Sequence, residues 1–437
     1  MSHLSDRGHP SRAEFFRSGA ATALGIAAAV SPPLRKSAFA ADKAVIRVGY
    51  IDSFSGYNAA TAYSQSSGMH LALEEANKRN SRVRFEVVQG DDMNDSSVGL
   101  NEAKRLIEDE KVDVLAGLTS TAVALKVMDF AERAGVFLLQ VGTSGTSITG
   151  SQASRVSFRT TCSNQMLVEA LAPLLLERGK IWFFITVDYE FGRDAQAHLT
   201  RALLAGGGRV GGSVRHRNGE TDFGRYMDLI ARSEADVIVL CSSGADAQNA
   251  LSAVMREGLH ESMQLAGVLL DNENVIGLPI HALVGSLWGY VWGPDAGGPR
   301  TREIYGKLKA RARGFPSNWN QYLGYIAGEQ LAERILGAGT TDTSRLIDAF
   351  EDERPFDAGK SHGSFWRRCD HQLVQDTYVA CIVPTHERIN TYEFFRVAHT
   401  LPAGAVPSCS SRDALAAAHR MQMHPIAPRR DYSVPSF

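Results

Sequence analysis

From Val45 onward, short apolar runs alternate with longer amphipathic stretches, and no other feature constrains the fold as strongly. A short run buried on both faces reads as a parallel strand. The amphipathic stretch after it, apolar at helical spacing, reads as the helix that returns the chain to begin the next strand. Strands are expected at 45–51, 83–88, 112–116, 136–140, 180–186, 208–214, 236–241, 263–269 and 286–292. Helices are expected at 62–79, 97–110, 121–134, 164–178, 193–205, 245–257, 300–313 and 318–336, with extended, hairpin-like material at 363–383.

The chain is long enough for two or three domains, with 437 residues of which 44% are hydrophobic. A net charge of -2 and the lack of a dense basic block exclude the field that nucleic-acid binding requires. At the N-terminus, Arg7, Arg12 and Arg17 precede a weakly apolar run at 19–30, and Ala38-Phe39-Ala40 offers a small-x-small cleavage site. Residues 1–40 therefore read as an export signal peptide, and the expected compartment is the periplasm. The segment 11–17 resembles a twin-arginine signal, but Ala13 stands where the second arginine belongs, so both translocation routes stay open. No later stretch is long and apolar enough to span a membrane. Five cysteines without a CxxC pair permit a Cys369–Cys381 bridge in an oxidising compartment, with buried or free thiols as the alternative.

Local motifs point to no catalysis, cofactor or metal. The glycines of 206–211 fit GxGxxG, yet they follow a helix and precede a strand, the reverse of a dinucleotide site, so a helix end with a tight turn is expected. Walker A, HExxH and GxSxG patterns are missing, and the hydroxyl-rich run 142–147 lacks a nucleophile-elbow spacing. His216, His362 and His371 lack metal-ligand spacing.

Val45-Ile46-Arg47-Val48-Gly49-Tyr50-Ile51, the Ser55-Gly56 turn, and the helix with Gly68 and Leu73-Glu74-Glu75-Ala76-Asn77 open a collinear series. It continues through Val112-Asp113-Val114-Leu115-Ala116-Gly117, Asp188-Tyr189-Glu190-Phe191-Gly192, Thr221-Asp222-Phe223, Ala235-Asp236-Val237-Ile238 and Asp370-His371-Gln372. In this order the motifs resemble the leucine/isoleucine/valine-type solute-binding proteins of ABC importers, from about residue 45 to 384. Departures are Tyr57-Asn58 after the first turn, the segment 270–274, and the extra tail.

The resemblance implies an α/β fold of two Rossmann-like lobes with parallel sheets, joined by three crossovers. Lobe 1 is expected at 44–160 plus 292–364, lobe 2 at 161–291 plus 365–402, and a flexible tail at 403–437. It also implies a cleft in which Thr119, Ser120, Thr121, Gly142, Thr143 and Ser144 hold a ligand carboxylate, with helix capping as the alternative role for the hydroxyls. Tyr57 and Tyr189 are expected to close over the ligand and Trp292 to line the cleft, against ordinary packing. Asp271 or Glu273 is expected to meet the ammonium of an amino-acid ligand, against an exposed loop acid. The expected function is capture of an amino acid, amide or aromatic acid by a monomer that delivers it to a membrane ABC permease. A sensory module of the same fold and an exported hydrolase are the alternatives.

Overall fold

The computed structural model describes residues 44–313 and 318–406. The expected export signal and all of the expected tail beyond residue 406 lie outside the described residues.

The first sheet contains β1 (Ala44–Asp52), β2 (Val83–Asp91), β3 (Val114–Gly117), β4 (Leu138–Gln140) and β5 (Ser157–Arg159). Between them run α1 (Ala59–Arg79), α2 (Ser96–Glu108) and α3 (Thr121–Ala134). All its pairings are parallel, in the order β2-β1-β3-β4-β5. The second sheet is built from β6 (Ile181–Val187), β7 (Arg209–His216), β8 (Val237–Cys241), β9 (Gln264–Gly267) and β10 (Leu287–Tyr290). With them run α4 (Asn164–Arg178), α5 (Glu190–Ala205), α6 (Gly224–Ala231), α7 (Gly244–Arg256) and the short α8 (Asn272–Val275). α9 (Pro299–Arg311), α10 (Trp319–Ala338) and α11 (Thr343–Phe350) follow, then a small hairpin of β11 (Phe365–Trp366) and β12 (Leu373–Val374), then β13 (Thr377–Ile382) and β14 (Phe395–Leu401). The second sheet runs β14-β13-β10-β9-β8-β6-β7, parallel from β7 to β10, with β13 and β14 added antiparallel at the far edge. The central strands β3, β4 and β8 are buried at every residue, which is why they read as unbroken apolar runs.

These two sheets are the cores of two lobes, and the chain passes between them three times, at 160–163, 291–298 and 375–376. Buried polar side chains bind the crossings together. The Lys360 ammonium donates to the carbonyls of Val291 (2.6 Å) and Asp376 (2.7 Å), and burial lowers its pKa to about 8. Beside it, Trp292 stacks on Tyr322 with ring centroids 4.6 Å apart and donates to Gly359 O. At the first crossing, the buried Arg159 guanidinium donates to Gln372, Gly145 and Thr149.

In the first lobe, α1 and α10 touch backbone to backbone. A Cβ on Gly68 would lie 1.9 Å from Gln321 O, and one on Gly324 would lie 1.8 Å from Gln65 O. Only glycine permits this approach, and it sets Gln65 beside Asn320, with Gln65 Nε2 donating to Asn320 Oδ1 at 3.0 Å.

Several features differ from the sequence expectations. α6, α11 and β14 had no counterpart, since α6 and α11 are short and β14 alternates apolar residues with Arg396 and His399. Cys381 is a free thiol while Cys369 is disulfide-bonded, so the bridge between these two is not made. Residues 403–406 are held: Ala403 N donates to Asp376 Oδ1 at 2.9 Å and Val406 packs on the core. The glycines after α5 do form a helix end and turn before β7, with Gly207 at φ +74.

Gly324→Ala should force the two helices apart and destabilise the protein by about 1–3 kcal/mol or more, the usual cost of overpacking. Urea unfolding measures this; an unchanged midpoint would contradict the close contact.

Candidate functional site

Residues that follow the carboxyl ends of β1, β3, β4, β6, β8 and β9 meet in one cleft between the lobes, of about 470 Å³ counted with its mouth. Its first-lobe wall comes from two loops. Gly117 and Leu118, both at positive φ, turn the chain sharply out of β3, so that Thr119 enters the cleft. Thr119 N donates to Asp52 Oδ1 (3.1 Å) and its hydroxyl reaches Gln65 Oε1 (3.4 Å). Thr143 Oγ1 donates to Leu118 O at 2.7 Å, tying the loop after β4 to the loop after β3. Gly142 and Ser144 face the cleft on either side of it.

Ser144 Oγ on this wall and Thr121 Oγ1 in the first turn of α3 are buried without a hydrogen-bond partner. Ser120 is the N-cap residue of α3, but its side chain makes no capping bond. The first turn of α3 therefore keeps the positive end of its dipole uncapped by a side chain, beside those hydroxyls.

The second-lobe wall carries Tyr189, Phe191, Ser243, Gly244 and Leu269. Tyr189 is the N-cap residue of α5 and Ser243 that of α7, again without side-chain capping bonds. Tyr57 is not on the wall. Its carbonyl accepts from Ala245 N across the cleft at 3.5 Å, and its hydroxyl is buried without a partner. Burial, together with Tyr189, Asp246 and Asp92, drives the Tyr57 phenol far above its ordinary pKa. Thr146, in the first lobe, likewise donates from its backbone to Asp194 on α5 at 2.9 Å. The lobes are thus closed on one another.

At the floor, Asn320 Nδ2 donates to Asp271 Oδ2 (3.2 Å) and Glu273 Oε1 (3.3 Å), while Glu273 Oε2 accepts from Ser64 (3.1 Å) and Asn318 (3.0 Å). Asp271 Oδ1 accepts from Asn272 N in the cap of α8. Both acids are held above the usual carboxylate range, Asp271 by burial and then Glu273, and Glu273 by burial.

Of the residues anticipated from sequence, Thr119, Gly142, Ser144 and Tyr189 line the cleft. Ser120 and Thr121 stand at the head of α3, Thr143 ties the loops, and Tyr57 bridges the lobes. Asp271 and Glu273 are buried partners of Asn320, and Trp292 belongs to the packing of the crossings. Gln65, Asn320, Trp319, Asn58, Phe191, Ser243, Gly244 and Leu269 were missed. For two of them there was a signal, the amides of Asn318-Trp319-Asn320-Gln321 heading an otherwise apolar helix. Among the described lining residues none carries a charge, so the cleft offers hydroxyls, amides and rings. No described group of His, Cys, Asp or Glu has the arrangement to hold a metal.

The sequence pattern of the periplasmic binding protein family matches residues 45–387. The chain belongs to that family. A Leu/Ile/Val-binding protein homologue of Brucella melitensis is 25% identical over 323 residues, covering 71% of this chain and 84% of that protein. Among solved structures, a periplasmic binding protein from Burkholderia mallei superposes with a TM-score of 0.78 at 21% identity, covering 83% of this chain and 96% of that one. A solute-binding protein of an ABC transporter from Rhodopseudomonas palustris, in complex with 3,4-dihydroxybenzoic acid, superposes at 0.74 with 19% identity, covering 82% and 98%. These neighbours share the two-lobed periplasmic binding protein fold.

One consequence of the site is a pH dependence. Burial pushes Asp52 up to about 7, helped by Asp92, and Asp246 up to about 6. In the unfolded chain such groups ionise near pH ~4. The folded state retains protons that the unfolded chain releases, so this stability is complete below pH ~4 and is lost as pH rises through ~6 to ~7. His216, whose pKa burial lowers, works in the opposite direction, alone against several acids. Denaturant unfolding of the ligand-free protein should show stability falling between pH ~5 and ~7.5, with a shallower fall in Asp52→Asn. Stability that rises over this window would refute the assignment.

Proposed function

We propose that this periplasmic binding protein is the substrate-binding component of an ABC importer, capturing a small carboxylate-bearing solute in the interlobe cleft for delivery to a membrane permease. The observation that carries the reading is the pair of buried, unpartnered hydroxyls, Ser144 Oγ and Thr121 Oγ1, beside the uncapped first turn of α3. Hydroxyls and backbone N–H groups suit a carboxylate because they bind the anion without a full countercharge. The rest of the cleft, with Tyr189, Phe191, Trp319 and Leu269, suits a flat or branched apolar body.

Within this class we favour an aromatic or apolar acid over an amino acid. No acid lines the cleft to receive an ammonium, because Asp271 and Glu273 already accept from Asn320 and other donors. The dihydroxybenzoate-bound neighbour agrees with that choice, and the Leu/Ile/Val-binding relative favours the amino acid. If Asn320 turned away, the buried acids behind it would become available to an ammonium.

The mechanism is closure and not chemistry. Solute touching both walls favours the closed state by its differential affinity, and the permease reads that shape. We take lobe 1 as 44–160 plus 292–374 and lobe 2 as 161–291 plus 375–402, since the third crossing falls at 375–376 and not at the expected 364/365. The hairpin 365–374 packs on first-lobe aromatics, with Trp366 against Phe158 and Phe350. The working state is a monomer in the periplasm, and no described helix is long and apolar enough to cross a membrane. A sensory module of this fold would close in the same way; finding permease and ATPase genes beside this one would argue for transport, and a signalling kinase gene for sensing.

Calorimetric titration with benzoate-type acids and branched-chain amino acids tests the proposal. Ser144→Ala should weaken the preferred acid by about tenfold to a hundredfold, since a hydrogen bond to a charged group contributes roughly 1.5–3 kcal/mol. Unchanged affinity would remove Ser144 from the site. Tighter binding of leucine than of any benzoate, lost in Asp271→Asn, would restore the amino-acid reading.

A further inference from the structure

The head of α10, in the first lobe, is seated on the loop after β9 in the second. Trp319 Nε1 donates to Leu270 O (3.0 Å), and Asn318 Nδ2 to Glu273 Oε2 (3.0 Å). Asn320 Nδ2 donates to both Asp271 Oδ2 (3.2 Å) and Glu273 Oε1 (3.3 Å). Asn320 lines the cleft, and the two acids lie behind it. We propose that Asn320 is the specificity-determining residue of the cleft: on closure its amide takes the place an α-ammonium would fill against Asp271 and Glu273. The protein then accepts acids that lack the ammonium and rejects the corresponding amino acids. This inference rests on the carboxylate-binding reading above and gives its preference for apolar acids a residue.

The bonding is that of an ammonium without its charge. A pair of carboxylates at a cleft floor requires N–H or O–H donors, and a ligand ammonium would supply them together with a compensating charge. The Asn320 amide has two N–H groups to give, and it gives one to each acid. Ser64 and Asn318 serve the other Glu273 oxygen, and the backbone of Asn272 serves Asp271 Oδ1. All four carboxylate oxygens therefore have donors from the protein itself. The donor side chains, Ser64, Asn318 and Asn320, all come from the opposite lobe.

A relay holds Asn320 in this orientation. Its Oδ1 accepts from Gln65 Nε2 (3.0 Å), so a flipped amide would aim Oδ1 at two carboxylates and Nδ2 at another N–H donor. Gln65 is fixed in turn: its Oε1 accepts from Thr119 Oγ1 (3.4 Å), and a Cβ on Gly142 would lie 2.3 Å from its Nε2. The backbone contact of α1 with α10 at Gly68 and Gly324 keeps the two amides side by side.

Closure is thus the selective step. Parting the lobes lifts the head of α10 off 270–273 and uncovers both acids. An amino acid that sets its ammonium there occupies the position of Asn320 Nδ2, and closing the lobes would then expel it or leave the Asn320 amide buried and unpaired. An acid without an ammonium leaves that position to Asn320. Its body meets Tyr189, Phe191, Leu269 and Trp319 in the closed cleft.

Calorimetric titration of the full chain with matched pairs tests this, using leucine with 4-methylpentanoate and phenylglycine with phenylacetate, and benzoate as a further acid. In Asn320→Ala the affinity for the amino acids should rise about tenfold or more over the wild-type protein, with no such rise for the acids. Adding Asp271→Asn to Asn320→Ala should cancel the gain. Asn320→Ser, which draws the donor back from the acids, gives the same readout if circular dichroism shows the alanine variant unfolded. A folded variant without the gain, or a gain that survives Asp271→Asn, would overturn the role of Asn320 while acids that still bind the wild-type protein uphold the carboxylate reading. Binding of none of these acids by the wild-type protein would overturn both.

Discussion

A parallel sheet with helical crossovers delivers every strand's carboxyl end to the same edge, and the function of this protein depends on that constraint. The loops after β1, β3 and β4 can only open on one side of the first lobe, and those after β6, β8 and β9 on one side of the second. Folding the lobes toward each other at those edges brings together residues as remote in sequence as Thr119, Tyr189 and Ser243. Helix starts arrive with them. The uncapped first turns of α3 and α7 face a space that no charged side chain lines.

The crossings hold the halves while leaving the cleft adjustable. Lys360 is buried and bonded to main-chain carbonyls of two crossing segments, while Arg159, buried beside the first crossing, bonds Gln372, Thr149 and the carbonyl of Gly145 in the loop that carries Ser144. Across the cleft the contacts run from Ala245 N to Tyr57 O and from Thr146 to Asp194 and His198, and at the floor from Ser64, Asn318, Trp319 and Asn320 to Leu270, Asp271 and Glu273. A solute that adds bonds on both walls shifts that balance toward closure by its differential affinity.

The layered α/β pattern was legible from sequence because buried parallel strands are continuous apolar runs, as at β3 and β8. The hydroxyl loops were legible for a local reason: Thr119 and Ser144 directly follow strands. Asn320 and Gln65 were not, since they reach the cleft through the contact of α1 with α10, which joins segments 255 residues apart. Asp271 is the converse case. Its place after β9 predicted a ligand contact, but α8 begins there and takes its carboxylate as a cap. Trp292 was read as cleft lining from its position after β10, whereas Tyr322, thirty residues later, draws it into the joint between lobes.

The most direct test is a crystal structure of the protein with the solute that co-purifies with it. The account predicts an unaltered molecule between the closed lobes, its carboxylate against Ser144 and the first turn of α3 and its body against Tyr189 and Trp319. A chemically altered solute, or a carboxylate bound away from α3, would contradict it.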